Sequence, residues 1–192
     1  MKVSTKPPVL VTTRLTLRLA KGSDIPAIIE YFRKNEEHLA KSGPLRPAGY
    51  LTNAFWQKQI ASDTELYSAD KALRLFLFDS NTEDVIGTAN FTAIVRGAAH
   101  FCFLGYGIGA EYQGRGLMFE GLRPAIEYMF DEMNLHRIMA NYMPTNKRSG
   151  ALLARLGFKE EGYARDYLFL NGKWCDHIMT ALTNTNWQPR RH

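Results

Sequence analysis

At 192 residues, with 45% apolar and 22% charged residues, the chain has the make-up of one globular domain. A domain of this size buries roughly 70% of its unfolded surface, so no covalent staples are needed. The opening Met1-Lys2-Val3-Ser4-Thr5-Lys6-Pro7-Pro8 lacks the apolar core of a signal peptide, and no run is long enough to cross a bilayer. A cytoplasmic protein with no membrane partner is expected. A net charge of +5 and a pI near 9.2 favour an anionic cofactor or an RNA-rich neighbourhood. Cys102 and Cys175 are expected to be reduced, and the five histidines show no metal-ligand spacing, so no metal is expected.

Leucine alternates with polar residues from Thr13 to Leu19, the period of a half-buried strand. Ser23 or Asp24 can cap a helix over Ile25 to Arg33, with Pro26 tolerated in its first turn. Asn35 to Gly49 holds Gly43, Pro44 and Pro47 and reads as a loop of the kind that borders a substrate cleft. A second helix is expected over Leu51 to Leu66. Three strands then follow, Leu73 to Asp79, Val85 to Val95 and Ala99 to Ile108, joined by short turns as an antiparallel meander. Gly87 marks a bulge or a close packing contact.

The next helix runs from about Gly116 to Asn134, and Pro124 inside it should kink it or loosen its second turn. Arg137 to Tyr142 is a strand and Asn146 to Leu156 a helix, with Gly157 as C-terminal cap. Phe158 to Tyr163 and Tyr167 to Leu170 read as strands, and Asn171-Gly172 turns the last of them into Lys173 to Leu182. The ends, Met1 to Thr12 and Asn184 to His192, are expected to be flexible.

Chemistry concentrates in Tyr112-Gln113-Gly114-Arg115-Gly116-Leu117-Met118-Phe119-Glu120, between a buried strand and a long helix. Glycines let the backbone turn and approach a ligand, and the first helix amides point into that turn without carbonyl partners. With Arg115 beside them, a phosphate or pyrophosphate is the natural guest. The spacing is neither the dinucleotide fingerprint nor the nucleotide-triphosphate loop.

The order of elements and the motifs resemble the GNAT superfamily of N-acetyltransferases. Its signature Gln/Arg-x-x-Gly-x-Gly/Ala meets Gln113 and Gly116 in register, while Met118 stands where a small residue is usual and should restrict backbone approach slightly. Asn146-Lys147-Arg148-Ser149 and Gly157-Phe158-Lys159-Glu160-Glu161-Gly162 are similar to the branch that acetylates amino termini of ribosomal proteins. The resemblance covers Thr13 to Trp187. It implies an α/β fold, a single mixed, mostly antiparallel sheet whose central parallel strands splay, flanked by helices. Residues 1–192 then form one N-acetyltransferase domain.

The resemblance also implies acetyl-coenzyme A as cosubstrate, held between the splayed strands. Tyr106, Ile108 and Gly109 are candidates to pair with the pantetheine arm. Backbone amides of Gln113, Gly114, Arg115, Gly116, Leu117 and Met118 would take the pyrophosphate. Asn146 resembles the family asparagine that bonds the pantetheine arm, and its other reading is a helix N-cap. Ser149 resembles the serine beside the departing sulfur, its other reading an ordinary first-turn serine. Many relatives carry a glutamate base two residues ahead of a Gly-Tyr pair, where this chain has Phe103. Asp166 is the nearest replacement by family position, its other reading a turn aspartate paired with Arg165. Neither cysteine sits in a nucleophile context, and Glu111 and Glu120 read as solvated or structural.

The implied acceptor is the α-amine of an amino-terminal alanine on a small-subunit ribosomal protein. At pH 7 about one α-amine in seven is neutral, against about one lysine in 2,500, so such an acceptor asks little of its base. Two other readings stand beside it. One is a small-amine acetyltransferase for an aminoglycoside or polyamine, although no acidic cluster is evident. The other is a ribosome-assembly factor that turns a basic surface to the ribosome or pre-ribosomal RNA.

Overall fold

The computed structural model describes residues 6–41 and 43–189. Its strands are β1 (Val9–Val11), β2 (Leu15–Arg18), β3 (Leu73–Asp79), β4 (Val85–Val95), β5 (Phe101–Ile108), β6 (Arg137–Met139), β7 (Lys159–Leu170) and β8 (Lys173–Thr183). They form one sheet in the order β1-β2-β3-β4-β5-β6-β8-β7. Every neighbouring pair is antiparallel except β5 and β6. The helices are α1 (Ile25–Lys34), α2 (Glu36–Ala40), α3 (Asn53–Ser68), α4 (Leu117–Asp131) and α5 (Lys147–Arg155).

Strand alternation sets the two faces. Leu15, Leu17, Leu75 and Leu77 bury completely in a cluster with Leu122, Ala125 and Met129 of α4. Phe76 and Phe78 point the other way, into a cluster with Ile28 of α1 and Trp56 of α3. Each buried leucine or phenylalanine contributes about 1.5–3 kcal/mol of transfer free energy. The sheet is thus clamped between α4 on one face and α1 with α3 on the other.

Several expectations need correction. Val9–Val11 is not a loose end, because it pairs with β2 from Val9↔Arg18 to Val11↔Thr16. At the other end Trp187 donates its Nε1 proton to the Asn134 carbonyl at 3.1 Å and stacks near His100 and His136. An indole anchors the segment that looked too polar to pack. The expectation for residues 1–5 and 190–192 lies outside the described residues.

The expected loop after Asn35 begins with α2. Neither Ser23 nor Asp24 caps α1 through its side chain, because the Asp24 carboxylate pairs with Arg18 at 2.6 Å and accepts the Lys21 amide. Thr52 does cap α3, accepting the Phe55 amide. The two strands expected from Phe158 to Leu170 are one, with register shifts between Glu160 and Gly162 and between Ala164 and Leu168. Helix α4 continues through Pro124 to Asp131, held by Leu122, Ala125 and Ile126 in the core on either side. Gly87 fulfils both of its readings. The β3–β4 register shifts beside it, and a Cβ there would stand 2.7 Å from the Gly107 carbonyl oxygen.

Candidate active site

Strands β5 and β6 pair at Phe101↔Arg137, Cys102↔Ile138 and Phe103↔Met139, and then part. Beyond Phe103, β5 keeps β4 as its register partner and turns its other edge to a cleft of about 1460 Å³. Gly105, Tyr106, Gly107 and Ile108 line that opening. On β6 the regular pairing stops at Met139, leaving Tyr142↔Ile178 as an isolated bridge. The expected strand end at Tyr142 therefore comes three residues early, and that shortening opens the cleft.

The glycine turn forms one wall. Gly114 and Gly116 adopt φ of 74° and 75°, the left-handed region that glycine enters without steric cost. Helix α4 starts at Leu117, and its first internal bond runs from the Glu120 amide to the Gly116 carbonyl at 3.0 Å. The amides of Leu117, Met118 and Phe119 are thus left for a ligand, at the positive end of the helix dipole. Met118 does not obstruct this, because its side chain is 7% exposed and packs into the core. Glu120 is structural. It accepts Thr12 and Arg14 and pairs with the Arg14 guanidinium at 2.6 Å. Burial raises its pKa, but these hydrogen bonds prevail and hold the carboxyl below its ordinary range.

Above the turn, the Gln113 side chain bridges two elements. Its Oε1 accepts the Arg148 guanidinium, and its Nε2 lies 2.9 Å from His38 Nε2. The same His38 Nε2 lies 3.2 Å from the Ile108 carbonyl oxygen, so the Gln113 side chain and the end of β5 meet at one imidazole nitrogen. A buried amide, Asn35, clips the same region together. Its Oδ1 accepts the Ala110 amide at 2.8 Å, and its Nδ2 donates to the Tyr31 carbonyl at 2.9 Å.

Deeper in the cleft, α5 brings Asn146 and Ser149 to Tyr106. The Tyr106 and Ser149 hydroxyls are 2.7 Å apart, and the Ser149 amide donates to Asn146 Oδ1 at 3.1 Å. Asn146 is therefore the N-cap of α5 and a cleft residue at once. Burial pushes the Tyr106 pKa up to about 12, so the phenol keeps its proton across the neutral range. Cys102 is likewise pushed up to about 12 by burial, which removes it as a nucleophile.

Three sequence candidates fall elsewhere. Gly109 has both backbone groups occupied, its amide on the Ile86 carbonyl and its carbonyl on the Tyr112 amide. Arg115 lies outside the cleft lining, over the Tyr112 ring at 5.7 Å. Asp166 is exposed on the β7 bulge at φ 44°, its amide donating to Asp176 Oδ1 at 2.9 Å. The bulge turns Asp166 away, and the residue does not line the cleft.

Of the opposite wall, the sequence anticipated only the segment from Asn35 to Gly49, whose His38, Lys41 and Arg46 line the cleft, and the wall's aromatic and acidic residues escaped. Phe32, Tyr50, Phe55, Trp56 and Phe76 form an aromatic cage, with Phe32 stacked on Trp56 at 5.3 Å. Arg46 covers Phe32 and Tyr50 at 5.0 and 5.2 Å. Asp63 is the one carboxylate lining the cleft among the described residues, bonded to Gln59 at 2.7 Å and Arg74 at 3.2 Å. Burial raises its pKa against the pull of those two partners. Tyr31 Oη and Trp56 Nε1 are buried without hydrogen-bond partners among the described residues. Thr88, Asn90 and Thr92 of β4 form a polar floor between the walls. One signal was available in α3, where Trp56, Asp63 and Tyr67 bury on a helix of otherwise mixed polarity.

A splayed parallel pair, a glycine turn feeding free amides and a hydroxyl pair at the fork define an N-acetyltransferase site. Residues 14–159 match the family model for the acetyltransferase (GNAT) domain, and the chain belongs to that family. It is an acetyltransferase. Among curated relatives it is 47% identical over 182 residues to the [ribosomal protein uS5]-alanine N-acetyltransferase of Escherichia coli (strain K12), covering 95% of this chain and 94% of that one. The crystal structure of the ribosomal-protein-S5-alanine acetyltransferase from Vibrio fischeri superposes with a TM-score of 0.91 at 38% identity, over 95% of this chain and 100% of that one. A ribosomal L7/L12 α-N-protein acetyltransferase in complex with coenzyme A matches with a TM-score of 0.80 at 26% identity, over 93% of this chain and 98% of that one.

Proposed function

We propose that this protein transfers the acetyl group of acetyl-coenzyme A to the α-amine of the amino-terminal alanine of ribosomal protein uS5. The observation that carries the reading is 47% identity over nearly the whole length of an enzyme with that activity. The cleft supports it. In this reading the pantetheine arm adds along the free edge of β5 at Tyr106 and Ile108, in the manner of an extra strand. The pyrophosphate sits on the amides from Gly114 to Met118, with the side chains of Gln113 and Arg148 beside it. Each anionic contact with the helix end adds about 0.3–1 kcal/mol.

The thioester then lies beside Ser149. The neutral amine enters from the aromatic wall and attacks the thioester carbonyl, and the carbon–sulfur bond breaks. The thiolate is steadied by the Ser149 hydroxyl, whose oxygen accepts the Tyr106 proton. The amine's surplus proton leaves through water towards Asp63, the carboxylate on the same wall. Phe103 in the place of a strand glutamate suits an α-amine, which needs roughly 3–4 kcal/mol less for deprotonation than lysine at neutral pH.

Mass spectrometry of peptides beginning with alanine, with leucine or with blocked alanine, each with one internal lysine, tests the reading. Acetylation of the free amino-terminal alanine alone is expected. Acetyl groups on the lysine of the blocked peptide at a matching rate would overturn it in favour of a side-chain or small-amine enzyme.

A further inference from the structure

Three arginines gather around the glycine-turn end of the cleft without a carboxylate partner among the described residues. Arg115 rests over the Tyr112 ring, Arg148 on Gln113, and Arg155 over the Phe119 ring at 3.9 Å. Their neighbour Arg14 is neutralised by Glu120 at 2.6 Å, which shows that this surface can supply a carboxylate where one is wanted. A diphosphate brings two negative charges. The α4 amides with Arg148 already match it, so Arg155, which also lines the cleft, is a cation in excess of what the pyrophosphate needs.

The position of Arg155 is as informative as its charge. Helix α5 turns Asn146, Ser149, Leu152 and Arg155 towards the cleft, one residue every three. Arg155 therefore stands about 9 Å along the helix from Ser149, beyond the thioester end. Its platform, Phe119, belongs to the first turn of α4, next to the amides that would hold the pyrophosphate. The stacked ring fixes the plane of the guanidinium and leaves its donors free, the arrangement in which arginine takes a phosphate with two parallel bonds.

Resting on the acetyl-coenzyme A reading, we propose that Arg155, held on Phe119, is the binding site for the phosphomonoester on the cofactor's ribose, the 3′-phosphate. The site makes the enzyme selective for coenzyme A over its 3′-dephospho form. Arg148 serves the diphosphate that both forms share.

Calorimetric titration with coenzyme A and with 3′-dephospho-coenzyme A decides the matter. The unaltered protein should bind coenzyme A about tenfold more tightly, the size of one charge-assisted contact. Arg155→Gln, which keeps much of the stem over Phe119, and Arg155→Ala should both lose this preference by weakening coenzyme A alone. Arg148→Ala should weaken both ligands together and leave the ratio intact. A tenfold ratio surviving in both Arg155 variants, or no preference in the unaltered protein, overturns the assignment while the cofactor reading stands. Failure of coenzyme A itself to bind the unaltered protein overturns both.

Discussion

Ser149 and Tyr106 are 43 residues apart in the chain and share one short hydrogen bond, so a double-mutant cycle can measure whether they act as a unit. Burial moves the Tyr106 pKa from 10.0 to about 12. That shift sets about 3 kcal/mol against the phenolate, so Tyr106 cannot serve as a base between pH 6 and 9. Its role is to donate. Tyr106→Phe removes one neutral hydrogen bond of about 1 kcal/mol, or roughly a fivefold loss in kcat. Ser149→Ala removes the group placed at the sulfur and should cost on the order of a hundredfold, with the affinity for acetyl-coenzyme A nearly unchanged.

On the proposal that Tyr106 acts through Ser149, the double variant should be no slower than Ser149→Ala. The assay is thiol release at saturating peptide, with calorimetric cofactor titration beside it. The raised pKa also fixes the sign of the pH profile. Tyrosine ionisation would begin to reduce the rate only as pH climbs towards about 12, so kcat should rise to a plateau and hold it through pH 9. Multiplicative losses in the double variant, or an alkaline fall below pH 9 that Tyr106→Phe abolishes, would refute the coupling.

Two further outcomes are expected. Gly116→Glu strains a residue at φ 75° by about 1–2 kcal/mol, yet the nearest atom to its new Cβ is 3.8 Å away, so the protein should fold. The carboxylate should then repel the pyrophosphate, and unchanged acetyl-coenzyme A affinity by calorimetry would remove the glycine turn from the phosphate site. Asp63→Asn should depress kcat/KM for the alanine peptide by roughly tenfold or more, most at low pH, where little free amine exists. A rate equal to that of the unaltered protein from pH 6 to 9 would show that the proton leaves by another route.

What the sequence disclosed follows the physics of each element. The leucine alternation at Leu15 and Leu17, the apolar β5 and the Asn171-Gly172 hairpin carry their structure in local pattern, and they fall where expected. Gln113, Gly116, Asn146 and Ser149 were legible because they sit in two short motifs with fixed spacing. Asp166 was not. The resemblance placed it near the site, but it sits exposed on a bulge where its amide donates to the Asp176 carboxylate, and nothing local announces that. The acceptor wall was hidden for the same reason on a larger scale. Asp63 meets Arg74 across two elements, and Phe32, Tyr50 and Trp56 come together from three segments. β1 was lost because its three residues gain their bonds from β2 rather than from any pattern of their own.

The Asn35 clip has a mechanical meaning. One buried side chain, 6% exposed, ties the junction of α1 and α2 to Ala110, two residues past the end of β5. The wall that would face the incoming peptide and the strand that would carry the thioester are therefore fastened at a common rivet. They cannot hinge apart there without breaking the Asn35–Ala110 bond in a dry setting, where it is costly to lose, while the bond to Tyr31 holds the Asn35 amide in place. Adjustments to different peptides must then fall on the stretch that the rivet leaves alone, from Gly43 to Tyr50. There the prolines at 44 and 47 limit how far the chain can wander. The distance between amine and carbonyl is set by the scaffold before either reactant arrives, which is the condition under which holding two reactants together lowers a barrier.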